Sequence, residues 1–398
     1  PPDNDRYCPQ SETTRAQMAT FLVRGLGFGP PELWALVHDA VDDPIPGSSS
    51  AGRLAYGDVG YVAAGPVLAI NDDAAIWTSP DGVDWAYVPN TAGLFGGPGN
   101  AIAVSDVASG NTAMVAVGNW RSSNSSIKSD AAVWRSEDRV TWARVADSRS
   151  AFGTSDDNSL LMNAVSFDPA LGFVAVGSEA LLDGQPGMSE ESVAAVWESS
   201  DGVDWARVPT DSALEGGKTL TMNDVVAANG LVVAIGTDYS TNSPAFWWSS
   251  DAQTWTRTSD PSGLPPLDSL SIEDITAGAA GFVAVAYETI GETRAPVSYT
   301  SMDGKTWTRH ALAVEGTLSA VTYDGSAYVA VGSGSTTLHY PGAVWESEDG
   351  VTWQRRGERT SGPTSRWLQT VVATPAGLLV GGTQTPEHTN YGAIWLRP

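Results

Sequence analysis

AAVWESSDGVDWARV, residues 194–208, decides the architecture, because the same pattern returns five more times along the chain. It stands as AAIWTSPDGVDWAYV at 74–88, AAVWRSEDRVTWARV at 131–145 and PAFWWSSDAQTWTRT at 244–258. PVSYTSMDGKTWTRH at 296–310 and GAVWESEDGVTWQRR at 342–356 complete the set. The shared core is aromatic-x-Ser-x-Asp-Gly-x-x-Trp. Its second Trp falls at 85, 142, 205, 255, 307 and 353, with spacings of 57, 63, 50, 52 and 46 residues. Self-similarity at such periods marks a propeller blade or a solenoid unit, here lengthened by loops.

Working outward, each core is preceded by a second shared piece. NAVSFDPALGFVAVG ends at Gly177, DVVAANGLVVAIG at Gly236 and AVTYDGSAYVAVG at Gly332. Runs such as FVAVG and LVVAIG are short and apolar, as strands buried on both faces are. Each unit therefore reads as strand, turn, strand, loop, strand, tight turn, strand, which describes a four-stranded propeller blade. The last unit, WLQTVVATPAGLLVGG followed by GAIWLRP, stops after its third strand. At the other end ELWALVHDAV places Trp34 51 residues before Trp85 with no Ser-x-Asp turn before it. Residues 33–37 thus supply the missing outer strand, and pairing both termini in one blade leaves no open blade edge. The expected fold is an all-β, seven-bladed propeller over residues 31–398, preceded by a separate segment at 1–30.

The repeated turn has a physical reading. Ser and Asp side chains accept backbone N–H groups that a tight turn leaves without partners. Gly tolerates the positive φ of the apex, and the Trp three residues on folds over the turn. Thirteen of the sixteen Trp occupy repeat positions, so they are read as structural. The same holds for the turn sets Ser79-Asp81-Trp85, Ser136-Asp138-Trp142 and Ser199-Asp201-Trp205. It holds equally for Ser249-Asp251-Trp255, Ser301-Asp303-Trp307 and Ser347-Asp349-Trp353. Arg139 and Ala252 replace the apex Gly, which predicts strain in those two turns.

Composition excludes several functions. The 398 residues carry 21 Lys+Arg against 46 Asp+Glu, a net charge of −25. A phosphate backbone needs a basic footprint, so no nucleic-acid partner is expected. Anionic membranes are equally unsuited to such a surface. No run of about 18 apolar residues is present, so no membrane insertion is expected. One Cys cannot build a disulfide scaffold or a Cys-based zinc site.

The Ser-x-Asp-Gly-x-x-Trp turn resembles the Asp box, or BNR repeat, of sialidase-like propellers, and the resemblance covers residues 33–398. That family includes sialidases, other glycoside hydrolases, sorting receptors and assembly factors. The resemblance implies that any ligand face lies opposite the boxes. Sialidases share a three-arginine carboxylate clamp, usually with an Arg-Ile-Pro-like segment, which does not occur here. Arg144, Arg207, Arg257 and Arg309 instead follow repeat Trp on outer strands.

The first thirty residues do not fit the blade pattern. Thr14-Arg15-Ala16-Gln17 reads as a capping box opening a helix, with Met18, Phe21, Leu22 and Gly25 at helical spacing. Tyr7-Cys8-Pro9 with Thr14-Arg15-Ala16-Gln17-Met18-Ala19 resembles the second half of an S-layer homology module of actinobacterial exported proteins. The resemblance implies export and a secreted or cell-surface, cell-wall-associated location. It also implies that Cys8 once had a partner upstream. A capped terminal helix packing on the propeller is the plainer reading.

Two regions are candidate sites. Loops between second and third strands open opposite the aspartate turns and vary most in length, which suits binding. They carry Trp120, Arg121, Tyr239, Tyr287, His339, Tyr340, His388 and Tyr391, aromatic and polar groups suited to carbohydrate stacking or protein contact. At the inner-strand starts, Asp106, Asp224, Glu273 and Asp274 form an arc around the channel. Such an arc suits a hard cation such as calcium or an acid/base pair on a glycosidic bond, or is simply solvated channel lining. No cofactor is expected beyond such a structural cation. The leading expectation is an exported binding or structural module with a glycan or protein partner at the cell surface. The rivals are a glycoside hydrolase or lyase using the channel carboxylates, and a surface-layer or filament subunit that self-associates through its N-terminal arm.

Overall fold

The computed structural model describes residues 35–39, 49–67, 73–97, 99–122, 128–146, 151–153 and 158–182. It further describes 189–215, 219–258, 261, 264–334, 342–356, 366–384 and 391–397. These residues build seven four-stranded antiparallel sheets, and each strand pairs only within its own sheet. Blades 1 to 6 start at inner strands Arg53–Gly57, Asn100–Ser109, Ser159–Asp168, Leu220–Ala228, Ser269–Gly278 and Thr317–Tyr323. Blade 7 takes its first three strands, Arg366–Thr374, Gly377–Gln384 and Tyr391–Arg397, from the C-terminal end and its outer strand, Ala35–Asp39, from the N-terminal end. The described part of that closing strand reaches Asp39, two residues past the expected end. Leu36 pairs with Trp395, just as Arg207 pairs with Trp197 in blade 3.

Seven apolar clusters hold the disc together, one at each blade junction. In each, a third-strand aromatic points at the preceding blade. Trp77, Trp134, Trp197, Trp247, Trp345 and Trp395 fill six of these places and Tyr299 the seventh. Five of the six indoles are wholly buried and Trp395 nearly so. Successive side chains of a strand face opposite ways, so every blade offers one apolar face to each neighbour.

The inner strands of blades 2 to 7 share a bulge at Ser105, Asn163, Asn223, Glu273, Ser319 and Gln369. The bulge drives the inner-strand carbonyl against the second strand, which explains the glycine ending each VAVG-like run. A Cβ on Gly118, Gly177, Gly236, Gly332 or Gly382 would sit 1.8–2.0 Å from that carbonyl oxygen. No real contact is that short, so these five positions require glycine as the strands stand, while blade 5 keeps its bulge with Ala286 at the equivalent place.

All six aspartate turns share the Ser–Asp bond and the two N–H bonds to the carboxylate, and four of them add an indole bond to the apex carbonyl. In the first, Asp81 Oδ1 accepts the Val83 and Asp84 N–H groups at 2.9 Å each. Ser79 Oγ accepts Gly82 N–H at 2.9 Å and donates to Asp81 Oδ1 at 3.1 Å. Trp85 Nε1 then donates to the Gly82 carbonyl at 3.0 Å, laying the indole over the turn. Backbone N–H donors hold the carboxyls of Asp201, Asp251 and Asp303 below the usual range, and that of Asp138 at about 2. At Asp81 and Asp349 burial opposes the same bonds and is outweighed.

The apex is left-handed in every turn. Arg139 and Ala252 both adopt φ +59°, the strained conformation their replacement of glycine predicts. Gly350, at φ +72°, faces a second constraint: a Cβ there would lie 2.5 Å from a Val283 methyl of the preceding blade. Gly350→Ala should therefore cost about 1–3 kcal/mol in urea unfolding, from left-handed strain plus overpacking. An unchanged midpoint would show that the junction gives way freely.

Candidate functional site

Asp106, Asp224 and Asp274 each follow the bulge in their inner strand, and there the structure puts them to work between blades. Asp106 Oδ2 accepts Val165 N–H of blade 3 at 2.8 Å. Asp224 Oδ2 accepts Ile275 N–H of blade 5 at 2.9 Å, and Asp274 Oδ2 accepts Val321 N–H of blade 6 at 2.8 Å. Each carboxylate thus takes an inner-strand N–H of the next blade, two residues past that blade's bulge. The bulge residues add further links: Asn163 Nδ2 donates to the Met222 carbonyl and Asn223 Nδ2 to that of Ile272, at 2.8 and 3.1 Å. In blade 1 the equivalent of these aspartates is Arg53, whose guanidinium donates to the Ser105 carbonyl of blade 2 and to Gly52.

The level below the mouth therefore reads Arg53, Asp106, Ala164, Asp224, Asp274, Ala320 and Thr370 around the ring. All three aspartates are half-buried in the channel wall. Burial pushes Asp106 up to about 7 against the pull of Arg53. Burial, followed by the neighbouring Asp274, pushes Asp224 well above its ordinary value, and burial raises Asp274 as well.

This arrangement ties the three aspartates of the arc to neighbouring blades. Asp224 and Asp274 also hydrogen-bond to each other through their side chains. Glu273 is engaged by Ser271 Oγ at 2.5 Å. Among the described residues, no three His, Cys, Asp or Glu side chains come together as a metal site.

The loop-face candidates disperse. Tyr287 carries the Arg294 guanidinium 3.4 Å from its ring centroid, so one stacking face is occupied. Arg144 lies 5.0 Å over Trp120 in the same way. Tyr239 is 50% exposed, and Arg121 and Tyr391 are partly buried at strand ends. His339, Tyr340 and His388 lie outside the described residues. The sequence reading passed over Trp367, two residues before the bulge of blade 7 and 54% exposed. Its equivalents are Ala103, Leu161, Thr221, Ser271 and Thr317, so a lone indole stands where other blades put small or aliphatic side chains. The absence of any partner pattern in the repeat was the available signal.

Neighbouring folds are known. The chain superposes on a leech intramolecular trans-sialidase with TM-score 0.51 and 13% identity, covering 94% of this chain and 71% of that one. An intramolecular trans-sialidase from Ruminococcus gnavus gives TM-score 0.49 at 14% identity over 90% and 96% of the two chains. Trypanosoma rangeli sialidase gives 0.46 at 12% identity over 73% and 53%, so this chain spans about half its length. At such identities the likeness is one of fold. No protein-family model matches the sequence, and no curated protein matches it.

Proposed function

We propose that this protein is an exported, cell-surface Asp-box propeller that binds a glycan at the channel mouth, on the face opposite the aspartate turns. The observation that carries the reading is Trp367. An indole left 54% exposed on a rigid inner strand offers a flat apolar face for a sugar ring, with a polar Gln369 two residues on. Exposed Tyr239 on blade 4 extends the aromatic surface toward the rim. The channel carboxylates are committed to interblade bonds, which favours binding over hydrolysis. The S-layer-homology-like stretch at residues 7–19 supports the surface location.

A glycan array probed with the isolated protein tests this reading. Trp367→Ala should weaken the strongest hit about tenfold or more, as loss of a central aromatic anchor does. Because the ring is half in water, the same variant should unfold within about 0.5 kcal/mol of the wild type. No glycan hit, or hits indifferent to Trp367, would remove the proposal and leave a protein partner. Turnover of a glycoside abolished by Glu273→Gln would install the hydrolase in its place.

A further inference from the structure

Asp224 and Asp274 stand in adjacent blades, and their bonds join three. Asp224 accepts Val225 N–H of its own strand at 2.8 Å as well as Ile275 N–H of blade 5. Asp274, itself in blade 5, accepts Val321 N–H of blade 6. The two side chains then bond to one another. Ionised carboxylates only accept hydrogen bonds, so a bond between two of them requires a proton on one. The result is a continuous chain of N–H, carboxylic acid, carboxylate and N–H across the inner strands of blades 4, 5 and 6.

We propose that this chain is a proton-dependent clasp, in which one proton shared by Asp224 and Asp274 fastens blades 4 to 6, so that the propeller is tighter in mild acid than in alkali. The charged groups acting on it are Arg53 from blade 1 and Asp106 from blade 2, while Glu273, next to Asp274 in blade 5, bonds to Ser271. Blades 3, 6 and 7 contribute Ala164, Ala320 and Thr370, none of which titrates. Arg53 and backbone N–H donors favour the ionised forms of Asp106 and Asp274, as the Asp224 bond does at Asp274, and burial outweighs them at both.

The direction of the pH effect follows by linkage. An unfolded chain gives up its Asp protons near pH 4. The folded chain keeps the shared proton to higher pH, since both carboxyls are raised. The clasp therefore contributes fully below pH about 4 and is lost as pH rises through the folded value. Asp106, at about 7, titrates in the same sense, and its contribution fades between about pH 4 and 7. Each proton held by the folded state but not by the unfolded one makes the unfolding constant rise about tenfold per pH unit.

Urea unfolding at pH 5, 6, 7 and 8 tests the clasp in the wild type, Asp224→Asn and Asp106→Asn. Asparagine keeps a neutral donor facing Asp274 and has no proton to lose. Asp224→Asn should flatten the pH slope by up to about one proton and become the more stable protein at pH 8. Asp106→Asn should flatten a separate part of the slope, so the two contributions can be told apart. A slope in Asp224→Asn equal to that of the wild type would overturn the proposal. Should Asp224→Asn fail to fold, the infrared carbonyl band of a protonated carboxyl in the wild type decides. The clasp requires that band at pH 6 and its weakening by pH 9; its absence at pH 6 would refute the shared proton.

Discussion

Trp197→Ala lowers the unfolding free energy by about 3–5 kcal/mol in urea titration. Trp197 is fully buried in the cluster between blades 2 and 3, among Val115, Val133, Phe152 and Phe173. A ring of about 150–250 Å² at about 25 cal/mol/Å² gives at most roughly 4–6 kcal/mol, with the compactness of denatured chains drawing the figure down. Its Nε1 also donates to the Ala151 carbonyl at 2.6 Å, which truncation would leave buried without that donor. Since each blade touches only its two neighbours, the damage concentrates at one junction, as in other repeat proteins. A loss under about 2 kcal/mol would mean that the junction collapses around the gap. The indole would then be a filler rather than the element that fixes blade spacing.

Much of this fold was written in the repeat. Six copies of the turn, an incomplete last unit and Trp34 in register with the repeat Trp were enough for seven blades and their closure. The turn itself was legible because Ser, Asp, Gly and Trp act within seven residues of one another. The channel was harder to read. Aligning the inner strands brings Asp106, Asp224 and Asp274 to one position, yet the bulge that turns them toward the next blade depends on pairing with a second strand. Arg53 escaped notice because blade 1 lacks the inner-strand pattern, and only the register with Ala64 places it in the ring. Trp367 was passed over because the loops drew the search for aromatics. The same residue type also behaves oppositely in the two settings. Aspartates in the turns receive N–H donors near solvent and become stronger acids, whereas those in the channel receive similar donors but lose water and become weaker. Spacing identifies both sets, and only packing separates them.

Glu288→Ala is expected to cost about 3–5 kcal/mol, against about 0.5 kcal/mol or less for Glu137→Ala. Both glutamates pair with arginine, but Glu137 is 71% exposed and Glu288 only 1%. Glu288 lies on the second strand of blade 5, two residues past Ala286. Arg309 crosses from the outer strand to meet it, donating from Nε at 2.8 Å and from Nη2. Tyr299, standing where other blades place Trp, donates its hydroxyl to the same carboxylate at 2.7 Å. Burial and then the Glu288 charge push the tyrosine's ionisation far up, so it remains a donor at any pH the protein meets. The position recurs as Glu179 with Arg207 and Asp238 with Arg257, so the cross-strand pair belongs to the blade rather than to a ligand site. Removing Glu288 strands a mostly buried guanidinium and a buried hydroxyl together, whereas Glu288→Gln keeps an acceptor for both and should lose less. The discriminating variant is Glu288→Leu with Arg309→Met. If the cost lies in the stranded charge, that double variant recovers to within about 1 kcal/mol of the wild type. If it stays as unstable as Glu288→Ala, the loss comes from packing around Tyr299, and the ion pair is not what holds the strands of blade 5 in place.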